Sequence, residues 1–331
     1  MADGSGHVNR HVGDGVSRGV SGHVGGDPSD PSDLSGVSDV SVLWNGRATL
    51  GEGPLWDART SRLYWVDIAE GVVHAYGARD GEFTQWSLGA QVGCLGLTED
   101  PAVMVAGMRT GWHLFDTRTS RLTFIADPEA QRPTCRFNDG SVDPAGRFWT
   151  GSLEDSETQP EGRLYRLGAN GTYATVDAGF YCSNGIDWSP DGRWMYFVDS
   201  RVNRIYRYEF VVSSGVLLNR EVFADTTELP GIPDGLRVDA EGHVWCAFWD
   251  GAHLTRFNPA GAVAEVVQVP VLRPTSLAFG GPGLYTMYIT SASIELTEEQ
   301  LAQWPLSGAV LRRDADVPGQ PANHYRRSRK A

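Results

Sequence analysis

The chain has 331 residues, a formal net charge of −13 and 41% apolar residues. That length is enough to bury a large core. The acidic balance argues against nucleic acid and against an anionic membrane surface, both of which call for a basic face. Gly (40) and Trp (11) are both plentiful, a mixture that suits many short strands joined by tight turns better than long helices. No apolar run approaches transmembrane length. The first forty residues contain no apolar signal core. The four cysteines, Cys94, Cys135, Cys182 and Cys246, form neither a CxxC pair nor a disulfide framework. A cytoplasmic, reduced setting is therefore expected.

Residues 1–40 are rich in Gly, Ser, Asp and Val and carry almost no large apolar groups. They cannot bury enough surface to offset their ordering entropy, so a disordered N-terminal tail is expected. Val8, Val12, Val16, Val20 and Val24 recur every four residues, but interleaved glycines work against a helix. His7, His11 and His23 lie here too, and a flexible leader is preferred to a metal patch. The stretch Gly15-Val16-Ser17-Arg18-Gly19 fits a nucleophile-elbow pattern but lacks the strand and helix that such an elbow needs.

From Val40 onward one pattern repeats. A polar, Gly-containing turn leads into an apolar strand, a second turn and an aromatic or β-branched strand. Copies begin at Gly51, Val92, Phe137, Ser183, Pro233 and Pro274, spaced 41 to 50 residues apart. The second turns, such as Asp143-Pro144-Ala145-Gly146 and Asp239-Ala240-Glu241-Gly242, have type I chemistry. Asp143, Asp191 and Asp239 therefore read as turn residues, not catalysts. Four short strands per repeat, at a period in the forties, predict an all-β, six-bladed propeller over residues 41–325. Strand Val40–Trp44 is expected to pair with the last blade and close the ring. A short helix is expected near Thr297–Trp304. A basic C-terminal tail, 326–331, ends the chain and is too short for a nucleic-acid site.

In a propeller, the loops entering the innermost strands meet at one mouth of the central channel. Here they bring Glu52, Arg136, Asn138, Asp139, Asn184 and Asp234 from different blades. Glu52, Asn184 and Asp234 together would offer oxygen ligands to a divalent ion with room left for water and substrate. The same residue types before Gly are also what tight turns use, so this reading and the ligand reading stay open together. Cys135 and Cys182 lie near the mouth without a histidine to activate them, and packing is the simpler role. His74, His113, His243 and His253 lack metal-protease spacing.

Over residues 43–325 the chain strongly resembles the family of senescence marker protein 30 (regucalcin), gluconolactonases and bacterial sugar lactonases. The resemblance is carried by LGEGPLWD, RFNDGSVDPAGRFWTGS, SNGIDWSPDGRWMYFVDS, PDGLRVDAEGHVWCAFW and RPTSLAFGG. It implies a six-bladed propeller with one divalent ion (Ca²⁺, Zn²⁺, Mn²⁺ or Fe²⁺) held by Glu52, Asn184 and Asp234. It also implies sugar contacts from Arg136 and Asn138. A substrate-wall glutamate of the animal members aligns with Ser156, while Glu154 and Glu157 are shifted from that position. The implied activity is hydrolysis of a sugar lactone, with Asp234 as ligand and general base. Phosphotriester hydrolysis on a similar metal propeller and a non-catalytic calcium-binding regulator remain the alternatives.

Overall fold

The computed structural model describes residues 39–328. Most of the expected N-terminal tail, with its elbow-like match and its three histidines, lies outside the described residues, as do the last three residues of the basic C-terminal run. Within them, six antiparallel sheets follow one another along the chain. Each is a meander of strands consecutive in sequence, apart from the outermost strand of blade six, which comes from the N-terminal end, and a short parallel strand from the C-terminal end added to blade two. The innermost strands are Gly51–Asp57, Val92–Thr98, Cys135–Val142, Ser183–Trp188, Ile232–Val238 and Pro274–Gly280. We number the blades one to six in that order. Blade six is completed by Val40–Trp44, which pairs antiparallel with Val310–Asp314. This closes the ring as the sequence predicts and removes the edge that blade six would otherwise expose.

The core is a ring of wedges between blades. Tyr64, Val66 and Val73 of blade one pack on Val92, Leu95 and Met104 of blade two. Corresponding clusters occupy the other five interfaces. Trp65, Trp112, Trp149 and Trp188 are among the largest fully buried side chains. Burial of such rings stabilises each interface by about 2–3 kcal/mol per side chain. This explains the high tryptophan count: a flat, wide side chain fills the gap between two twisted sheets.

The inter-strand turns are pinned by the predicted aspartates. Asp143 accepts hydrogen bonds from the Ala145 and Arg147 N–H groups with one oxygen. With the other it accepts from Trp149 Nε1 at 2.8 Å and Arg147 Nε at 2.5 Å. Asp239 repeats the device with Glu241, His243, Trp245 and Arg256. Both carboxylates are fully buried, so each turn is tied to the aromatic strand that follows it. Asp191 is exposed and closes its own turn through Ser189 and Arg193.

The predicted helix is Glu298–Gln303, opened by a capping box in which Thr297 and Gln300 satisfy each other's backbone. Beyond blade six the chain runs as a strap across the far end of the channel. Gln320 Nε2 donates to the Trp188 and Val238 carbonyls, and Asn323 Nδ2 to that of Val142. His324–Tyr325 then pairs parallel with blade two, and the Tyr325 hydroxyl donates to Gly168 O. Among the described residues, no helix is long and apolar enough to cross a membrane.

Candidate functional site

The sequence places its polar inner-strand residues at strand starts, and all six inner strands carry a bulge or register shift near their start, four of them at these residues. Shifts fall between Glu52 and Leu55, Phe137 and Gly140, Asn184 and Ile186, and Pro233 and Leu236. A bulge re-aims side chains out of the pleat. Here the result is that Glu52, Arg136, Asn138, Asn184 and Asp234 all line one cavity of about 530 Å³ at the channel mouth. Glu52, Asn138, Asn184 and Asp234 are each buried.

A directed chain of hydrogen bonds links blades three and four. Arg136 Nη1 donates to Asn138 Oδ1 at 2.7 Å. Asn138 Nδ2 donates to Asn184 Oδ1 and to the Ser183 carbonyl, both at 3.0 Å. Asn184 Nδ2 donates to Ser200 Oγ at 2.9 Å. Both amides are thereby held in one orientation. Asn138 already has both N–H groups and one oxygen lone pair engaged, so its first effect is to hold Arg136 and Asn184 in place.

The carboxylates are less comfortable. Burial, then the nearby Asp139 charge, pushes the Glu52 carboxyl up to about 8. Burial, followed by the charges of Glu52, Asp139 and Glu157, pushes Asp234 well above the usual carboxylate range. Burial also raises Asp139, and Arg237 opposes the rise. Asp234 Oδ1 and Asp139 Oδ2 are buried with no hydrogen-bond partner. Close buried acids with orphaned oxygens are under mutual repulsion that a cation relieves. Among the described residues, no group of three or more His, Cys, Asp and Glu side chains is arranged to hold a metal. A cation here would rest on two carboxylates, Glu52 and Asp234, with the Asn184 amide oxygen as third ligand. That donor set fits a hard divalent ion.

The rim holds residues that the motifs did not single out. Arg201 Nε pairs with Glu157 at 2.6 Å, Arg273 Nε with Asp250 at 2.6 Å, and Arg109 with Asp155 through two bonds. Arg273 also lies over the Trp249 ring. Ser156 lines the rim but is exposed, and its hydroxyl is taken by Glu154 and Thr158. Glu157, one residue on, turns inward at a left-handed φ of 53°. Its shift in sequence register therefore does not remove a carboxylate from the cavity wall. No local pattern marks these pairs, because each joins separate loops. Cys182 also lines the cavity, and burial pushes its thiol well above the ordinary range, which disfavours the thiolate. All four cysteines are free and buried.

The model of the SMP-30/Gluconolactonase/LRE-like region matches residues 50–293. A 6-deoxy-6-sulfogluconolactonase of Pseudomonas putida is 37% identical over 82% of this chain and 93% of its own length. An L-arabinolactonase of Azospirillum brasilense is also 37% identical, over 83% of this chain and 91% of its own. Among solved structures, a calcium-binding regucalcin from Agrobacterium tumefaciens superposes with a TM-score of 0.83 at 31% identity, covering 86% of this chain and 96% of its own. The match spans all six inner strands and the positions of Glu52, Arg136, Asn138, Asn184 and Asp234, so this chain belongs to the SMP-30/gluconolactonase/LRE-like family.

Proposed function

We propose that the chain is a hydrolase of carboxylic esters that opens sugar lactones to aldonic acids, with one divalent ion bound by Glu52, Asn184 and Asp234. The single observation that carries this reading is the convergence of those oxygens, two of them on carboxylates that repel each other, beside the Arg136 guanidinium in one cavity. Support comes from relatives named as lactonases of a sulfonated hexose and of a pentose acid. Four free cysteines suit a cytoplasmic setting.

When bound, the ion would supply Lewis acidity to the lactone carbonyl and lower the pKa of a water. The protein's own groups do the rest. Arg136, held by Asn138, presents its remaining N–H donors to ring hydroxyls. Asn184 is locked by Asn138 and Ser200, so its oxygen is fixed before substrate arrives. Asp234 Oδ1 is free of hydrogen bonds and takes the proton as water adds to the carbonyl carbon. The ester C–O bond then breaks, and the ring oxygen receives that proton and leaves as a hydroxyl. One water is consumed and one acid is formed. The Glu157–Arg201 pair forms the wall where sugars of different length or charge are sorted.

The test is proton release from a panel of aldonolactones (glucono-, galactono-, xylono- and arabinono-), with a paraoxon-like ester as contrast. The protein is stripped with EDTA and single metals are added back, and spontaneous ring opening is subtracted. Metal-restored turnover of lactones and not of the phosphotriester is expected. Turnover of the phosphotriester alone, or none from folded, metal-replete protein, would overturn the reading.

A further inference from the structure

The mouth cavity has two unlike sides. Contacts between inner strands set the blades around the channel in chain order, with blade six beside blade one. Blades three and four line the cavity with Arg136, Asn138, Glu157, Asn184, Ser200 and Arg201. Blades five, six and one line it with Ile232, Trp249, Ile294 and Leu50, each half-buried. Among the described residues that line the cavity, every hydroxyl and amide side chain comes from blades three and four. Glu52 and Asp234, from blades one and five, are the carboxylates that the metal reading assigns to the ion. The other charges on the apolar side are engaged or turned to water. Arg273 donates through Nε to Asp250 Oδ1 at 2.6 Å and through Nη1 to the Ile294 carbonyl, and its guanidinium lies 4.6 Å from the centre of the Trp249 ring. One side chain thus ties the Trp249–Asp250 corner of blade five to the Ile294 turn of blade six. Glu295 is exposed. The Ile294 N–H donates to the Thr49 carbonyl at 2.8 Å, and the Ile68 N–H to that of Leu50 at 2.9 Å, which joins the same wall to blade one.

We propose that this cavity prefers lactones with one hydroxylated edge and one bare carbon edge, namely 6-deoxyhexonolactones. The proposal rests on the lactonase reading given above and names the substrate class within it. The ring hydroxyls meet Arg136 and the wall of Glu157 and Arg201, and the terminal methyl packs on Trp249 and Ile294. A hydroxyl placed against these aliphatic groups and the indole face meets no side-chain acceptor on them, yet it gives up water to get there. A methyl in the same place gives up nothing polar and covers apolar surface that the free site leaves wet. One small group against an apolar wall changes kcat/KM by about 10- to 200-fold, and a wall open on one side belongs at the lower end.

The experiment measures kcat/KM of the full chain, saturated with Ca²⁺ or Mn²⁺, on 6-deoxygalactono-1,4-lactone, galactono-1,4-lactone and γ-caprolactone. Wild type is compared with Ile294→Asn and Trp249→Gln. Preference is read as the ratio between the first two lactones in one sample, so any loss of folded protein cancels. Wild type should favour the deoxy lactone about tenfold, and γ-caprolactone, which offers Arg136 no hydroxyl, should be the poorest of the three. Each variant should bring the ratio to within about threefold of one, chiefly by losing activity on the deoxy lactone. Should Trp249→Gln fail to fold, Ile232→Thr carries the same comparison. A wild type that treats both sugars alike or prefers the parent would overturn the proposal, as would a preference that the variants keep. γ-Caprolactone as the best substrate would show a site apolar throughout and overturn it too. No turnover of any lactone by folded, metal-replete wild type would take down the lactonase reading and this proposal with it, whereas lactone turnover without the preference sinks the proposal alone.

Discussion

Replacing Glu52 by Gln should make the metal-free protein more stable while destroying ion binding. The Glu52 carboxyl moves from 4.5 to about 8 on folding, chiefly through burial and then through Asp139. A folded carboxyl with a raised value binds its proton more tightly than the unfolded chain does. Its stability contribution is fully present below the unfolded value and is lost as pH rises towards the folded one. At pH 7 the cost of keeping Glu52 in the fold is on the order of 3 kcal/mol, from 1.36 kcal/mol per unit over the window already crossed. It approaches about 4–5 kcal/mol by pH 9. Gln keeps an oxygen for the Gly53 N–H and removes the charge. Urea unfolding of EDTA-treated protein at pH 5, 7 and 9 is the assay. The wild type should lose stability across that series, and the Gln variant should stay nearly flat and overtake it. A flat wild-type profile, or a Gln variant less stable at pH 9, would refute the electrostatic account of the cradle.

Asp143→Ala should cost about 3 kcal/mol in unfolding free energy, because it leaves the Trp149 N–H and the Arg147 guanidinium without their buried partner. The activity of the folded fraction should not change, and a drop in kcat per folded molecule would show that the turn does more than hold the blade. Glu157→Gln and Arg201→Met should each raise KM or reorder the preferred lactones with little change in kcat on the best one, read from initial rates across the panel. Truncation after Pro318 removes the Gln320, Asn323 and Tyr325 hydrogen bonds across the far end. It should lower Tm by several degrees with ion affinity retained, and an unchanged Tm would show that the strap contributes nothing to closure.

The propeller is legible in the sequence because the blades repeat one strand–turn–strand pattern. In blades three, four and five an Asp or Ser opens the turn, Gly closes it, and an aromatic strand follows. Ring closure by Val40–Trp44 is legible for a related reason: a lone strand before the first copy has one place to pair. The helix at Glu298–Gln303 announces itself through Thr297 and Gln300. At the channel mouth the motifs foretell which residues meet, since equivalent positions of a closed repeat must converge. What they do not foretell is how those residues are engaged. Asn138 is almost fully used by Arg136, Asn184 and Ser183, and Ser156 is held on the rim by Glu154 and Thr158. The pairs Glu157–Arg201 and Asp250–Arg273 join loops of unrelated sequence. The strap at 319–328 has no periodicity at all. Its stretch at 320–323 is placed by single side-chain bonds to carbonyls of blades three, four and five and its end by backbone pairing with blade two, which no spacing rule records.

The most direct measurement is the rate of glucono- or arabinono-lactone opening by wild type and Asp234→Ala in parallel, each stripped of metal and then titrated with Mn²⁺ or Ca²⁺. The account predicts that the wild type falls to the spontaneous rate on stripping and recovers with about one ion per chain, while Asp234→Ala, folded and saturated, stays at the spontaneous rate. Full activity in the metal-free wild type, or retained activity in metal-replete Asp234→Ala, would contradict it.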